Sequence, residues 1–183
     1  AAAAAADAPT PLRGCRRARS GSLEVPTRVH AGQLMNAADG QFICRICLDL
    51  CEEPTVLPCS HMFCRECLRQ LVTWSVDDQV QCPACRAPFS RCQDTAEDQA
   101  VARALIDRVR ICCAFAHPSR LPDKDDDPLP DNHAARTHGL RCEWVGTVAY
   151  YAAHLELNCE VASQLRELEA HAAHARPGRG QAR

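Results

Sequence analysis

Large apolar side chains are what this sequence has least of. Four Phe, two Trp and two Tyr are spread over 183 residues, and much of the apolar count is alanine and cysteine. Aromatic and branched side chains supply most of the free energy of burial, so one ordinary hydrophobic core spanning this length is not expected. No apolar run of about 18 residues is present to span a membrane, and no secretory h-region lies near the N-terminus. Neither sign of charge dominates. The net charge is −2 with His neutral, which gives no global electrostatic reason to expect a nucleic-acid partner. The first residue is Ala rather than Met, as expected of a processed or truncated product.

What the chain has in excess is cysteine, fourteen in all. Thiols at this density mean either disulfides in an oxidising compartment or metal thiolates in a reducing one, and spacing together with histidine decides between them. Without a secretory signal the chain reads as intracellular, soluble and reduced, with a cytoplasmic location. Metal cross-links are then expected to replace the missing core.

Composition divides the chain. Residues 1–38 open on six alanines, are rich in Ala, Arg, Pro and Ser, and show no apolar period, so they read as a disordered arm. The RRARS stretch in it has the form of a basic-directed phosphorylation site, and the acid-poor character faintly resembles a transit peptide. A plain solvated tail is the preferred reading. Residues 39–92 hold the crowded cysteines among turn signals and short apolar pieces, as in a small α/β unit. Residues 93–111 read as a linking helix, with Thr95 as its cap and Val101, Leu105, Ile106 and Val109 along the face packed on its neighbours. Residues 112–160 form a second cysteine-rich unit interrupted by 117–138, a stretch of Pro and Asp without periodicity that reads as a disordered insertion. Residues 161–183 read as a short helix and tail. Val161, Leu165, Leu168, Ala172 and Ala175 are spaced as in a coiled coil too short to distinguish from a frayed helix, and a homo-oligomer stays open. The fold class expected is thus a set of small α+β zinc-stabilised modules.

In the crowded stretch the candidate ligands are Cys44, Cys47, Cys59, His61, Cys64, Cys67, Cys82 and Cys85. They are separated by two, eleven, one, two, two, fourteen and two residues. Zinc takes four tetrahedral Cys or His ligands with Zn–S near about 2.3 Å, and C-x2-C supplies two thiolates from one tight turn. Eight ligands make two sites. They can be filled sequentially, as two separate knuckles, or interleaved. Cys51 lies outside the series and reads as a small, partly buried residue.

The order of three Cys, one His and four Cys, with the phrases C-R-I-C, L-P-C-S-H-M-F-C and C-P-A-C-R, resembles the C3HC4 variety of the RING finger family. The resemblance covers residues 44–86. It implies the interleaved cross-brace, with Cys44, Cys47, Cys64 and Cys67 on one zinc and Cys59, His61, Cys82 and Cys85 on the other. The family's usual Gly between the third Cys and the His is replaced by Ser60, a change expected to be tolerated because the hydroxyl need not be buried. Both zincs would have four protein ligands and no open position, which makes them structural rather than catalytic. The family acts as ubiquitin ligases that dock a ubiquitin-conjugating enzyme and position its ubiquitin thioester for transfer to a substrate lysine, with no covalent ligase intermediate. Carried over residue by residue, the contacts to the conjugating enzyme are Ile46, Leu71 and Pro83, with Trp74 a less close match to the family's tryptophan. Arg86 falls at the cationic position that meets both conjugating enzyme and ubiquitin. Simple packing is the competing role for Ile46, Leu71 and Trp74.

Further along, Cys142, His154 and Cys159, with W-V-G after the first and H-L before the last, resemble the zinc finger of the tumour-necrosis-factor-receptor-associated factor (TRAF) type. The resemblance implies a third zinc. Its remaining ligand is expected to be Cys113, with Cys112 and His138 as alternatives. The leading expectation is therefore a RING-type ubiquitin ligase with a TRAF-like finger, whose partners are a conjugating enzyme, ubiquitin and an unknown protein substrate. A zinc-stabilised signalling adaptor without ligase activity is the alternative. Nucleic-acid binding has little support, because the basic residues cluster in the N-terminal arm and not on the fingers.

Overall fold

The computed structural model describes residues 23–75, 79–90, 96–117 and 128–174. The RRARS stretch, Thr95, residues 118–127 and Ala175 lie outside the described residues. Among those described, no helix is long and apolar enough to cross a membrane.

Strands are three residues long and occur in antiparallel pairs. Strand β1 (Pro54–Val56) pairs with β2 (Met62–Cys64) in the register Thr55 opposite Phe63. Helix α1 (Arg65–Trp74) follows β2 directly, buries Cys67 and Leu68, and stops where the Ser75 hydroxyl donates to the Leu71 carbonyl at 2.9 Å. Strands β3 (Gln79–Gln81) and β4 (Pro88–Ser90) form the second hairpin, with Val80 opposite Phe89. Helix α2 (Ala96–Ile106) leads to β5 (Arg110–Cys112), which pairs with β6 (Val145–Thr147) beyond the short helix α3 (Ala134–Thr137). Helix α4 (Val148–Ala153) runs into a π-helical turn, His154–Asn158, and then α5 (Glu160–His174). Isolated two-stranded hairpins are marginal in water. Here each one is packed into a larger whole.

That whole is one cluster of buried side chains running from Val29 to Leu165. Phe63, Phe115, Ile106, Ile111 and Leu165 are its largest fully buried members, and six of the candidate ligands, Cys44, Cys64, Cys67, Cys82, Cys113 and Cys159, belong to it together with Cys51. The scarcity of aromatics is thus met in part by cysteine, which fills space as a small apolar group.

The N-terminal segment departs from expectation. A disordered arm was expected through residue 38, yet from Leu23 on the chain is a strap laid across the other elements. Val29 and Leu34 are buried. The Leu50 amide donates to the Val29 carbonyl at 2.7 Å, and the Met35 amide donates to the Arg110 carbonyl at 3.0 Å. Gln33, fully buried, accepts from the His30 amide through Oε1 and donates through Nε2 to the Cys112 carbonyl at 3.0 Å. The Arg28 guanidinium pairs with Glu52 at 2.6 Å and reaches Asp49 at 3.6 Å. The Tyr151 hydroxyl donates to the Pro26 carbonyl, and burial pushes its pKa up, so it stays a neutral donor. The segment has no periodicity because its apolar residues face two different partners in turn.

Two further expectations shift. The insertion expected to be disordered over 117–138 contains Leu129 and His133, both buried, and α3. The His133 ring shares a hydrogen bond with the Glu24 carbonyl, 3.1 Å away, and lies 6.1 Å from the Phe115 ring, so it ties the strap to this region. On α2, Ala102 and Ile106 are buried with Val109 beyond the helix, whereas Val101 and Leu105 of the expected packing face are 63% and 48% exposed. On α5, Val161, Ala162 and Leu165 dock, and Leu168 is 39% exposed.

If the strap is structural, Leu34→Ala is expected to cost about 2–5 kcal/mol, the range for emptying a buried Leu site. Denaturant unfolding of the metal-loaded protein measures it. A change within about 0.5 kcal/mol, as for a solvated position, would mean the segment is not packed in solution.

Candidate metal centres

Cys44 and Cys47 sit on one tight turn, closed by the Leu48 amide donating to the Cys44 carbonyl at 2.7 Å. Cys64 ends β2 and caps α1, and Cys67 lies in the first turn of that helix. The four sulfurs form one group, with Cys47 Sγ and Cys64 Sγ 3.7 Å apart. Four sulfurs at about 2.3 Å around one tetrahedral ion stand about 3.8 Å from each other. The observed separation is the edge of that tetrahedron. Two backbone amides point at sulfur as well, Glu52 N–H at Cys64 Sγ (3.3 Å) and Cys64 N–H at Cys44 Sγ (3.5 Å). Such donors stabilise a thiolate over a thiol.

The second group takes Cys59 and His61 from the loop between β1 and β2, and Cys82 and Cys85 from the turn between β3 and β4. That turn repeats the first: the Arg86 amide donates to the Cys82 carbonyl at 2.8 Å. His61 Nδ1 is buried without a hydrogen-bond partner. An unpaired buried imidazole nitrogen is costly in a folded protein and is resolved when the ring serves a metal. The two groups interleave along the chain, so the sequential arrangement does not occur. Ser60, between Cys59 and His61, is exposed and has φ 65°. The position favours glycine for its backbone conformation, not for lack of room or polarity.

The third group is Cys113, Cys142, His154 and Cys159. Cys113 follows β5, and its amide donates to the Trp144 carbonyl at 3.0 Å. Cys142 Sγ lies 3.4 Å from His154 Nε2, close to the edge of about 3.5 Å expected for mixed sulfur and nitrogen ligands on one zinc. His154 is buried, Nδ1 has no partner, and burial pulls the ring's pKa down, which keeps it neutral and ligand-competent. The Trp144 ring stacks on His154 at a centroid distance of 4.4 Å. Gly146 makes the stacking feasible, because a Cβ there would run into the Trp144 ring. The W-V-G phrase is therefore a device that orients a ligand.

The alternatives for this group are placed elsewhere. Cys112 points its sulfur at the Gln33 carbonyl, and burial holds its thiol above the usual range. His138 is exposed at the end of α3. Cys51 is buried, its thiol pKa is raised by the neighbouring Cys44 and Cys64 sulfurs and by burial, and it lies outside the first group of four. The described cysteines form no disulfide.

Outside the metal groups, Ile46 and Leu71 are half-buried against the core, while Pro83 and Arg86 are exposed on the last cysteine turn. Trp74 is 76% exposed at the end of α1, so packing does not account for it. The sequence reading missed Gln33, His133 and the amides of Glu52 and Cys64. Their roles depend on contacts between distant segments that leave no local pattern.

Metal analysis by mass spectrometry is expected to find three ions per chain for the wild type and for Cys51→Ser. Cys64→Ser is expected to lose metal together with the fold of the first two groups. Gly146→Ala is expected to weaken the third site by about 10–100-fold, as for loss of a ligand-orienting neighbour, read by chelator competition. Unchanged affinity there would remove Trp144 from the account.

Residues 44–85 match the family model for the zinc finger of C3HC4 type (RING finger). Among curated proteins, the chain is 39% identical over 61 residues to the mouse (Mus musculus) E3 ubiquitin-protein ligase TRIM56, covering 33% of this chain and 8% of that one. It is 40% identical over 76 residues to the mouse E3 ubiquitin ligase TRIM40, covering 41% and 30%. With the mouse E3 ubiquitin-protein ligase RNF5 the figures are 38% over 71 residues, covering 39% and 36%. The matched part thus spans between 8% and 36% of the length of these relatives. The eight interleaved ligands and the family match agree on the same stretch, and residues 44–85 are a RING finger of the C3HC4 type.

Proposed function

We propose that this chain is a RING-type ubiquitin ligase, which docks a ubiquitin-conjugating enzyme and promotes transfer of its ubiquitin to a lysine of a protein substrate. The observation that carries the reading is the RING finger itself, found in relatives named as E3 ubiquitin ligases. Zinc is the ion that suits all three groups, since thiolate-rich sets of four with one or no imidazole are its structural donor set. When bound, it supplies structure and folding free energy, and its four protein ligands leave no position for a substrate.

The chemistry then falls to the surface the ring presents. Ile46, on the first cysteine turn, and Leu71, on α1, offer apolar contact to the conjugating enzyme. Pro83, on the last turn, is exposed, as such a contact requires, and so is Trp74. Arg86 holds a guanidinium outward from the same turn as Pro83, and its several donors suit a position between conjugating enzyme and ubiquitin. Holding the thioester in one orientation lowers the entropic part of the barrier without any ligase nucleophile. No separate acid, base or nucleophile is assigned. The third group is read as a TRAF-type finger that extends the module, supported by the ligand pattern and the stacked Trp144. The location is read as intracellular and cytoplasmic.

The test is discharge of a purified conjugating-enzyme thioester to free lysine, across a panel of conjugating enzymes. The zinc-loaded wild type is expected to accelerate discharge with at least one of them. Ile46→Ala and Arg86→Ala are each expected to slow it by about tenfold, the loss of roughly 1.4 kcal/mol at one contact, with metal content unchanged. A wild type that accelerates none of the panel would sink the ligase reading in favour of a zinc-stabilised adaptor.

A further inference from the structure

A hollow of about 490 Å³ lies between the 3₁₀ turn Ala37–Phe42 and the end of α2, away from the cysteine turns. Its walls include Met35, Phe42, Leu105 and Val109, together with Arg108 and Arg110. Phe42 and Val109 are buried, so they form a floor. Met35 and Leu105 are 40% and 48% exposed and form a rim. Val101, one helical turn before Leu105, continues the apolar stripe and is 63% exposed. This is the stripe of α2 that the fold's own core does not take up.

The charge of the hollow is equally uncommitted. Arg108 and Arg110 are exposed, and among the described residues neither guanidinium makes an ion pair or a side-chain hydrogen bond. Among the described residues Asp39 is the one carboxylate in the wall, against the two guanidiniums, which leaves the described lining positive. A second hollow of about 170 Å³ shares Met35 and is lined mainly by apolar groups, including Ala116, Trp144 and Val145. Glu143 is its acidic member. Two hollows with one methionine in both walls suit an extended chain better than a single compact ligand, and methionine adapts to the side chains laid on it.

We propose that this groove binds an extended peptide segment of a partner protein, with acidic residues over Arg108 and Arg110 and apolar side chains beside Met35 and Leu105. The charge pattern places the acidic end of the segment at the arginines. The apolar stripe supplies contact area, and the two guanidiniums supply selection against basic segments. Binding here is independent of ligase activity, so it stands or falls separately from the function of the ring.

The probe is a fluorescein-labelled decapeptide with three aspartates followed by two leucines spaced by alanine, titrated into the zinc-loaded full chain and followed by anisotropy. Replacing its aspartates by lysine, or its leucines by serine, is expected to weaken binding by about tenfold or more. The double variant Arg108→Glu, Arg110→Glu is expected to lose about tenfold or more for the aspartate peptide and to gain for the lysine peptide, as reversed steering requires. Both side chains are exposed, and an unchanged metal content shows that the variant is folded. Equal binding of the aspartate and lysine peptides, or an unaffected double variant, would overturn the proposal. So would inorganic phosphate or single-stranded RNA binding in place of the peptide with no dependence on the leucines, which would make the groove an anion site. Self-association that the double variant abolishes would assign the groove to a second copy of the chain instead.

Discussion

Ten thiols and two imidazoles have to converge in three groups of four, and nearly every other feature of the chain follows from that convergence. Thiolates brought together without a cation repel each other and are poorly solvated inside a protein, so the gathered state is unfavourable by itself. A shared dication reverses the sign of the interaction. The first two groups each take one pair of ligands from before β2 and one from its last residue or beyond, which fixes the β1–β2 hairpin and the start of α1 between them. Neither site can form without placing part of the other. The third group does the same for β5, β6 and the π-helical turn, which carries His154 into the group and hands the chain on to Cys159. Local irregularity of that kind in a helix commonly accompanies a ligand position.

Convergence of ligands does not by itself join the ring to the third group. That union is made by α2 packed against β1, by the strap of residues 23–43 and by polar groups that are fully enclosed. Gln33 is the clearest case: it lies on a 3₁₀ turn of the strap and bonds to the carbonyl of Cys112, next to the ligand Cys113. Its Nε2 also lies 3.3 Å from the Tyr151 hydroxyl on α4. His133 does similar work from the N-cap of α3 by way of the Glu24 carbonyl. A buried amide or imidazole left without partners costs about 1–3 kcal/mol, so these groups select one arrangement of the strap more than they add to total stability. The strap joins the elements that carry the three ligand groups into one continuous buried cluster.

The parts that could be read from the sequence are those whose cause is local. Ligand spacing carried the two cysteine turns, and the His61 position carried the interleaving through a family resemblance. The helical period carried the existence of α2 and α5. What could not be read depends on contacts across long separations. Val29, Leu34 and His133 sit in stretches whose composition suggests disorder, yet they are buried, because their partners lie far away in the chain: Leu50 for Val29, Ile111 for Leu34, and Phe115 and Glu24 for His133. The face of α2 was misjudged for a related reason. Periodicity offers several apolar faces on an alanine-rich helix, and only tertiary packing chooses Ala102 and Ile106 over Val101 and Leu105. Backbone sign was equally hidden, since nothing in the identity of Ser60 announces φ 65°.

The left-handed residues show how structure and surface are divided. Leu48 and Arg86 each follow the second cysteine of a turn, with φ 65° and 63°, and each amide closes its turn on the carbonyl of the first cysteine. A side chain in this conformation costs roughly 1–2 kcal/mol relative to the right-handed one, and glycine would avoid it. Such residues persist where the surroundings determine the backbone more strongly than the residue does. Here the sulfur ligands do so, since both cysteines of each turn belong to one group. The side chains are therefore released from any structural duty: Leu48 is 50% exposed, and Arg86 is exposed. The two turns share one backbone solution yet present an apolar group at one and a cation at the other. Their difference lies in the side chain each holds out to solvent, not in the backbone that carries it.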